Sequence, residues 1–238
     1  MEKGSHPISP HGELVQLASN LWYLEGTLKM PVGALQRNMV VYRLPGGELL
    51  LHSVVALNDA GIKALEALGR PAYMVVPHGG HRLDAPFYKR RYPAIKVLAP
   101  ALARAKVEQV IKVDATAEEA LPPLGVALHK VEGMKPAMGE NTLLVDVDGG
   151  KALIANDVVA GGPGNKDGGL MMRILGPRGG GFGVPRVVRW MAIADKGAVK
   201  ATLGKLAEIP GVKILTTSHG PPLRGGVAEG LRAAAAGL

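Results

Sequence analysis

The sequence predicts a four-layer αββα sandwich, of α+β and α/β character, in which two mixed sheets pack face to face beneath outer helices. Three observations lead there. Hairpin-type strands begin near Leu21 and again near Val126, and each set is followed by further α and β elements. Several strands, "PAYMVVP" above all, are apolar without alternation, the pattern of strands covered on both faces. The chain of 238 residues is 47% apolar but only 4% aromatic, so a sizeable core must be built from Val, Leu, Ile and Ala.

The elements follow in order. Residues 1–20 are polar and Pro-rich and are expected to form a separate N-terminal segment, with His6 and His11 solvated, ahead of one domain over 21–238. "LWYLEG" and "NMVVYRLPGGELLLHSVV" read as strands, with "LPGG" as a hairpin turn whose glycine supplies positive φ. "NDAGIKALEALG" is a helix capped by Asn58 or Asp59, with Ile62, Leu65 and Leu68 at helical spacing and Gly69 ending it. After the strand "PAYMVVP" and a short helix carrying "YKRRYP", "YPAIKVLAP" gives another strand. "ALARAKVEQVIKV" reads as a helix with Leu102, Ala105, Val107, Val110 and Ile111 on its apolar face. "VALHKVEG", "NTLLVDVDGG" and "KALIANDVVA" are three consecutive strands. A Gly-rich stretch over 161–183 is expected to be a mobile loop or lid. A helix capped by Asp195, the strand "VKILTTSHGPPL" and a C-terminal helix complete the chain.

Cysteine is absent, which excludes disulfides and thiolate metal sites, so any metal must be held by His, Asp, Glu or water. The formal charge of +8 raises the possibility of nucleic acid as partner, but the basic residues are scattered, and the one dense run reads as a solvated face. A small molecule is the expected partner. No stretch approaches the roughly 18 apolar residues of a membrane span, and no segment reads as a signal peptide, so a cytoplasmic location without membrane association is expected.

The groups that could do chemistry are His52, His78, His81, Asp84, His129, Asp157 and His219. His78, His81 and Asp84 follow "PAYMVV", Asp157 follows "KALIAN", and His219 follows "KILTTS". All sit where strands end, and α/β proteins place their sites at the C-terminal ends of strands. His52 is a candidate for orienting a ligand through its ring N–H, or for a buried histidine bonded to backbone. His129 lies inside a strand. Met171, Met172, Phe182 and Trp190 flank the Gly-rich stretch and are candidates for an apolar surface or for core filling. "GGGFG" lacks the Lys-Ser/Thr of a phosphate loop, and no Gly-x-Ser-x-Gly elbow supports a serine hydrolase.

With these motifs in order, the chain resembles the metallo-β-lactamase fold superfamily, and within it a branch with a degenerate metal site. That family carries a His-x-His-x-Asp-His loop after a buried strand, a third His in a later turn, an Asp after a strand and a last His. Here "VVPHGGHRLD" stands for the loop, "EGMKP" for the third His turn, "IANDVV" for the Asp and "TTSHGPP" for the last His. The order and separations agree from Leu21 onward. Two departures stand out. The loop is His-x-x-His, and one extra residue can swing a side chain away. The third His position holds Met134, a poor Zn²⁺ ligand.

The resemblance implies a reduced site for one Zn, with Fe or Mn also suited to an N/O ligand set, held by some of His78, His81, Asp84, Asp157 and His219. Asp84 and Asp157 are the expected catalytic carboxylates. The implied activity is metal-dependent hydrolysis, through a metal-bound water, of an ester, lactone, amide or phosphoester. The alternative is a catalytically silent protein of this fold that serves as a binding or scaffold module.

Overall fold

The structure, a computed structural model, describes residues 6–29, 34–161, 175–177 and 181–238. Among them one sheet has seven strands in sequential order: β1 (Val15–Ala18), β2 (Leu21–Lys29), β3 (Ala34–Arg43), β4 (Leu49–His52), β5 (Pro71–Val75), β6 (Lys96–Ala99) and β7 (Ala115–Thr116). The first four are antiparallel neighbours, and β4 through β7 run parallel. The second sheet contains β8 (Ala127–Lys130), β9 (Asn141–Val147), β10 (Gly150–Ile154), β11 (Val212–Thr216) and β12 (Leu223–Arg224), in the order β12-β11-β10-β9-β8. Here β10 and β11 are the parallel pair.

Three stacked apolar layers show the sandwich. Between the sheets, Val40, Leu50, Val75 and Leu98 of the first sheet meet Leu143, Val145, Ile154 and Ile214 of the second. Residues of opposite parity, such as Val41, Leu51, Met74 and Val97, face outward onto the helices α1 (Asp59–Leu68), α2 (Ala85–Arg91) and α3 (Arg104–Val107). On the other outer face, Leu153, Ala155 and Leu215 pack against α5 (Arg186–Met191), α6 (Lys196–Ala207) and α7 (Val227–Ala236). A one-turn helix, α4 (Ala117–Ala120), begins in a capping box between Thr116 and Glu119. Because successive strand residues point to opposite layers, a central strand needs apolar residues at every position.

Local chemistry sets the ends of these elements. Asn58 accepts from Gly61 N–H and caps α1, and Asp195 accepts from Ala198 N–H and caps α6. Gly47 adopts φ 86° in the β3–β4 turn, where Leu44 N–H bonds Glu48 O. The helix expected over 101–113 is reduced to the single turn of α3, flanked by turns. Val107 and Ile111 are buried, while Leu102 and Val110 are exposed. β-Branched residues at 107, 110, 111 and 113 weaken helix propensity there.

The N-terminal segment does not stand apart. β1 pairs with β2, Thr27 N–H bonds Pro10 O, and Gly12 N–H bonds Glu25 O. His6 and His11 are not simply solvated either, since His6 Nε2 lies 2.8 Å from Asp84 Oδ1 and His11 Nε2 accepts from Asn58 N–H. In the basic run on α2, Lys89 pairs with Asp114 and Arg91 with Glu66. Among the described residues no helix is long and apolar enough to cross a membrane. Of the Gly-rich stretch, only Gly161, residues 175–177 and residues 181–183 are described, and Met171 and Met172 lie outside the described residues.

Candidate metal centre

The C-terminal ends of β4, β5, β10 and β11 converge at one edge of the sandwich and bring His78, His81, Asp157 and His219 together. Asp157 is the hub. His78 Nε2 lies 2.9 Å from its Oδ2, while His81 Nε2 and His219 Nε2 lie 3.3 and 3.4 Å from its Oδ1. Ligand atoms of His78, His81 and Asp157 all fall within 4.8 Å of one another.

The extra residue in the first loop does not swing a ring away. His81 N–H bonds back to His78 O, and the two rings meet edge to face with centroids 4.9 Å apart. The two glycines make this turn possible. A Cβ on Gly79 would lie 2.4 Å from Lys106 Cγ, and one on Gly80 would lie 2.8 Å from His78 Cε1. Gly80→Ala is therefore expected to destabilise the protein by roughly 1–3 kcal/mol, the range for overpacking, readable as a lower midpoint in urea unfolding. An unchanged midpoint would mean that the His78 ring is free to move.

Hydrogen bonding separates the histidines by tautomer. Gly80 N–H donates to His78 Nδ1, so neutral His78 carries its proton on Nε2 and donates it to Asp157. That ring has no free lone pair for a metal. His219 is the reverse: its Nδ1 bonds Gln36 O, a carbonyl that only accepts, so neutral His219 has a bare Nε2 aimed at Asp157. His81 Nδ1 lies 2.8 Å from Ser53 Oγ, which can accept its N–H and leave Nε2 bare. Ligating histidines characteristically anchor their other nitrogen in this way.

A bare imidazole nitrogen facing a carboxylate oxygen needs a cation between them, either a proton or a metal ion. Tetrahedral Zn²⁺ with bonds of about 2.0–2.1 Å holds its ligand atoms about 3.3 Å apart. The 3.3 and 3.4 Å separations of His81 Nε2 and His219 Nε2 from Asp157 Oδ1 match that edge. Two nitrogens and one carboxylate oxygen are also an accepted donor set for Zn or Fe. The set whose ligand atoms all lie together is His78, His81 and Asp157, with His219 reaching the same carboxylate, so the donors present are of the kind a metal ion takes.

Electrostatics divides the histidines differently, His78 and His219 against His81. Burial would raise the Asp157 carboxyl, but the charges of His81 and His78 outweigh it and hold the group well below the usual range. Burial would lower His78 and His219, but Asp157 outweighs it and raises both. Burial dominates at His81, which is lowered, and at His52, which falls to about 3.

Several residues that the sequence reading passed over hold this arrangement. Buried Glu140 accepts N–H bonds from Asn156, Asp157 and Val158, fixing the loop that carries Asp157. Burial, reinforced by the nearby Asp157 charge, raises the Glu140 carboxyl to about 7 against the pull of His78 and those N–H groups. Ser218 Oγ donates to Asp157 Oδ1. Asn38 ties the His219 turn to β3 by bonding Thr217 O and Gly220 O through its side chain and Ser218 O through its backbone N–H. Ser53 sits at φ 55°, uncommon outside glycine. The series Ser53–His81–Asp157 has the residue types of a nucleophilic triad, yet Ser53 is buried and lines no part of the cavity, so it orients His81 instead. Ser53 and Ser218 each adjoin a histidine already singled out, a signal that could have found them. Glu140 offered no such signal.

Other expected residues lie elsewhere. Asp84 is not with the cluster: its Oδ2 takes Arg37 and Ala56 N–H, and its Oδ1 takes His6. With both oxygens engaged and the side chain outside the cavity, it is a buried tie between three segments rather than a ligand or catalytic carboxylate. Met134 is buried in the outer core and bridges Ile193. His52 is buried with Nε2 unpartnered among the described residues, and His129 lies within β8. Phe182 packs against the outer core, whereas Trp190 is exposed.

A cavity of about 390 Å³ opens onto His78, His81, Asp157 and His219. Its remaining walls come from Leu28, Leu35, Met138, Val187, Met191 and other apolar or small residues.

No protein-family model matches the chain, and no curated protein matches it. Solved structures do. A metallo-β-lactamase from Pseudomonas aeruginosa, in its mono-zinc form, superposes with TM-score 0.64 and 13% identity over 96% of each chain. One from Erythrobacter litoralis, with β-mercaptoethanol in its active site, gives 0.63 and 17% over 98% of this chain and 100% of that one. One from Hirschia baltica gives 0.60 and 15%, over 95% and 98%. The chain has the metallo-β-lactamase fold.

Proposed function

We propose that this protein is a metal-dependent hydrolase whose reduced site binds one ion through His81 Nε2, His219 Nε2 and Asp157 Oδ1. The observation that carries this reading is the pair of anchored imidazoles converging on one carboxylate oxygen at 3.3 and 3.4 Å. Zn is the first choice, and Fe or Mn suits the same donors. The mono-zinc form of the similar Pseudomonas aeruginosa enzyme supports a one-ion site by analogy of fold. When bound, the ion supplies a Lewis acid that acidifies water and polarises a carbonyl oxygen.

The chain's own residues do the rest. Asp157 stays ionised and provides the negative charge that anchors the site. His78, through its Nε2–H, holds the Asp157 carboxylate in orientation. The apolar walls of the cavity set the acyl group beside the cluster. In the hydrolysis itself, water oxygen bonds to the acyl carbon and the acyl–oxygen bond to the leaving group breaks. Water's protons are then shared between the leaving alkoxide and the medium.

One observation favours the second reading, a silent binding protein. Asp157 already accepts from His78 and Ser218, a network that closes without an ion once His219 is protonated and His81 carries its proton on Nε2, with Nδ1 accepting from Ser53 Oγ–H. Metal content decides between them. Protein purified without chelator is expected to carry close to one equivalent of Zn, Fe or Mn, and an Asp157→Ala, His219→Ala double variant none. A parent that takes up no metal after incubation with all three ions overturns the hydrolase.

A further inference from the structure

We propose that the cavity recognises an uncharged acyl compound with an aliphatic chain, so that the substrate is a lipophilic ester or lactone rather than a phosphoester. This rests on the hydrolase reading for the reaction, but not for the binding. Among the described residues the cavity carries ionisable groups at one end only. Among the described residues that line it, the four of the cluster are the sole ionisable ones. Leu28 and Leu35, from β2 and β3, form one wall, and Val187, Val188 and Met191, from α5, form another.

Its size, about 390 Å³, is that of a small-molecule site, and apolar walls with a few convergent polar groups are the usual construction of one. The geometry assigns the two ends of the ligand. The acyl head meets the cluster, and the chain runs along walls that, among the described residues, carry no charged side chain to meet a charged tail. A buried charge there is costly because nothing repays its lost hydration. The walls continue outward. Met191, which lines the cavity, is 68% exposed, and Trp190, next to it in the chain, is 70% exposed. A chain longer than the cavity would cover Met191 and approach Trp190.

The test uses metal-free full-length protein, so that loss of the hydrolase reading leaves it intact. Methyl esters of straight-chain acids, from about four to about ten carbons, are titrated while tryptophan emission is followed. Trp190, exposed and next in the chain to the lining residue Met191, is the responsive fluorophore, since Trp22 is buried within the first sheet. Affinity is expected to rise about threefold to fourfold per methylene, the gain from burying one CH₂, with a blue shift for the longer chains. The half-ester of the matching dicarboxylic acid, charged at its tail, is expected to bind at least tenfold more weakly. Met191→Glu, at a site exposed enough to leave folding alone, is expected to erase the gain from the last carbons, and Met191→Leu to keep it. Affinity that does not depend on chain length overturns the proposal, as does a charged tail bound as tightly as the plain ester. If chain-length dependence appears in a protein that takes up no metal, the cavity assignment stands and the hydrolase falls.

Discussion

Alanine at His81 or His219 is expected to abolish stoichiometric metal uptake, whereas His78→Ala is expected to leave one ion bound with affinity reduced about 10- to 100-fold. The difference follows from the tautomers. His219 Nδ1 is tied to a carbonyl, so its Nε2 lone pair is available. His78 Nδ1 accepts Gly80 N–H, so its Nε2 carries a proton and serves Asp157 instead. Structural zinc binding worth about 10–16 kcal/mol over four ligands implies about 3 kcal/mol for each. Losing one of only three protein ligands should therefore cost more than a hundredfold in affinity, enough to empty the site after dialysis. Metal content after dialysis and competition with a chromogenic chelator measure both effects. Equal loss in all three variants would show that His78 flips and ligates, and that the division of roles is wrong.

The second large effect concerns pH. His219 is raised above its ordinary 6.5 by Asp157, and so is His78, although a proton on His78 Nδ1 displaces the Gly80 N–H bond and leaves His219 as the larger contributor. A histidine raised in the fold contributes stability that is complete below its unfolded value and is lost as pH rises through the folded one. Glu140, raised to about 7, has the same sign. His52 and His81 are lowered, so their preference for the neutral form is complete above 6.5 and adds no slope there. Asp157, held low, matters only in acid below its ordinary 3.8. Metal-free protein is thus expected to lose stability as pH rises from about 6.5 toward 8.

Metal reverses the trend, because the ion competes with those same protons and binds more tightly as they leave. At a thousand times its dissociation constant the ion adds about 4 kcal/mol, or roughly 8–16 °C in a chain of this size. Thermal unfolding from pH 6 to 8, with chelator and with Zn, checks both slopes. Parallel curves in the two conditions would mean that the ion does not bind at the imidazoles.

Much of the fold was legible because burial writes itself into the residue pattern. Strands between two covered layers must be apolar at every position, and "PAYMVV" and the "ALIA" within "KALIAN" are. The caps at Asn58 and Asp195 and the turn at Gly47 follow from chemistry confined to a few neighbouring residues. The helix expected over 101–113 failed because apolar spacing alone does not measure the cost of β-branched residues. Glu140 was invisible, since a lone acid at a strand's start carries no local mark of the three N–H groups it will meet.

By itself the sequence determined the four-layer sandwich, the absence of thiolate chemistry and the short list of residues at strand ends. Only the tertiary structure decided which of them meet. Asp84 sits three residues from His81, yet Arg37, 47 residues away, captures its carboxylate. His78 and His81, suspected of facing apart, turn to one centre because Gly79 and Gly80 admit a turn too tight for a Cβ. Which imidazole nitrogen is bare depends on Gln36 and Ser53, residues remote in sequence from the rings they anchor. The physical reason is range. Strand and helix patterns are set by neighbours along the chain, but ligand roles are set by single hydrogen bonds between segments that only folding brings within 3 Å or so.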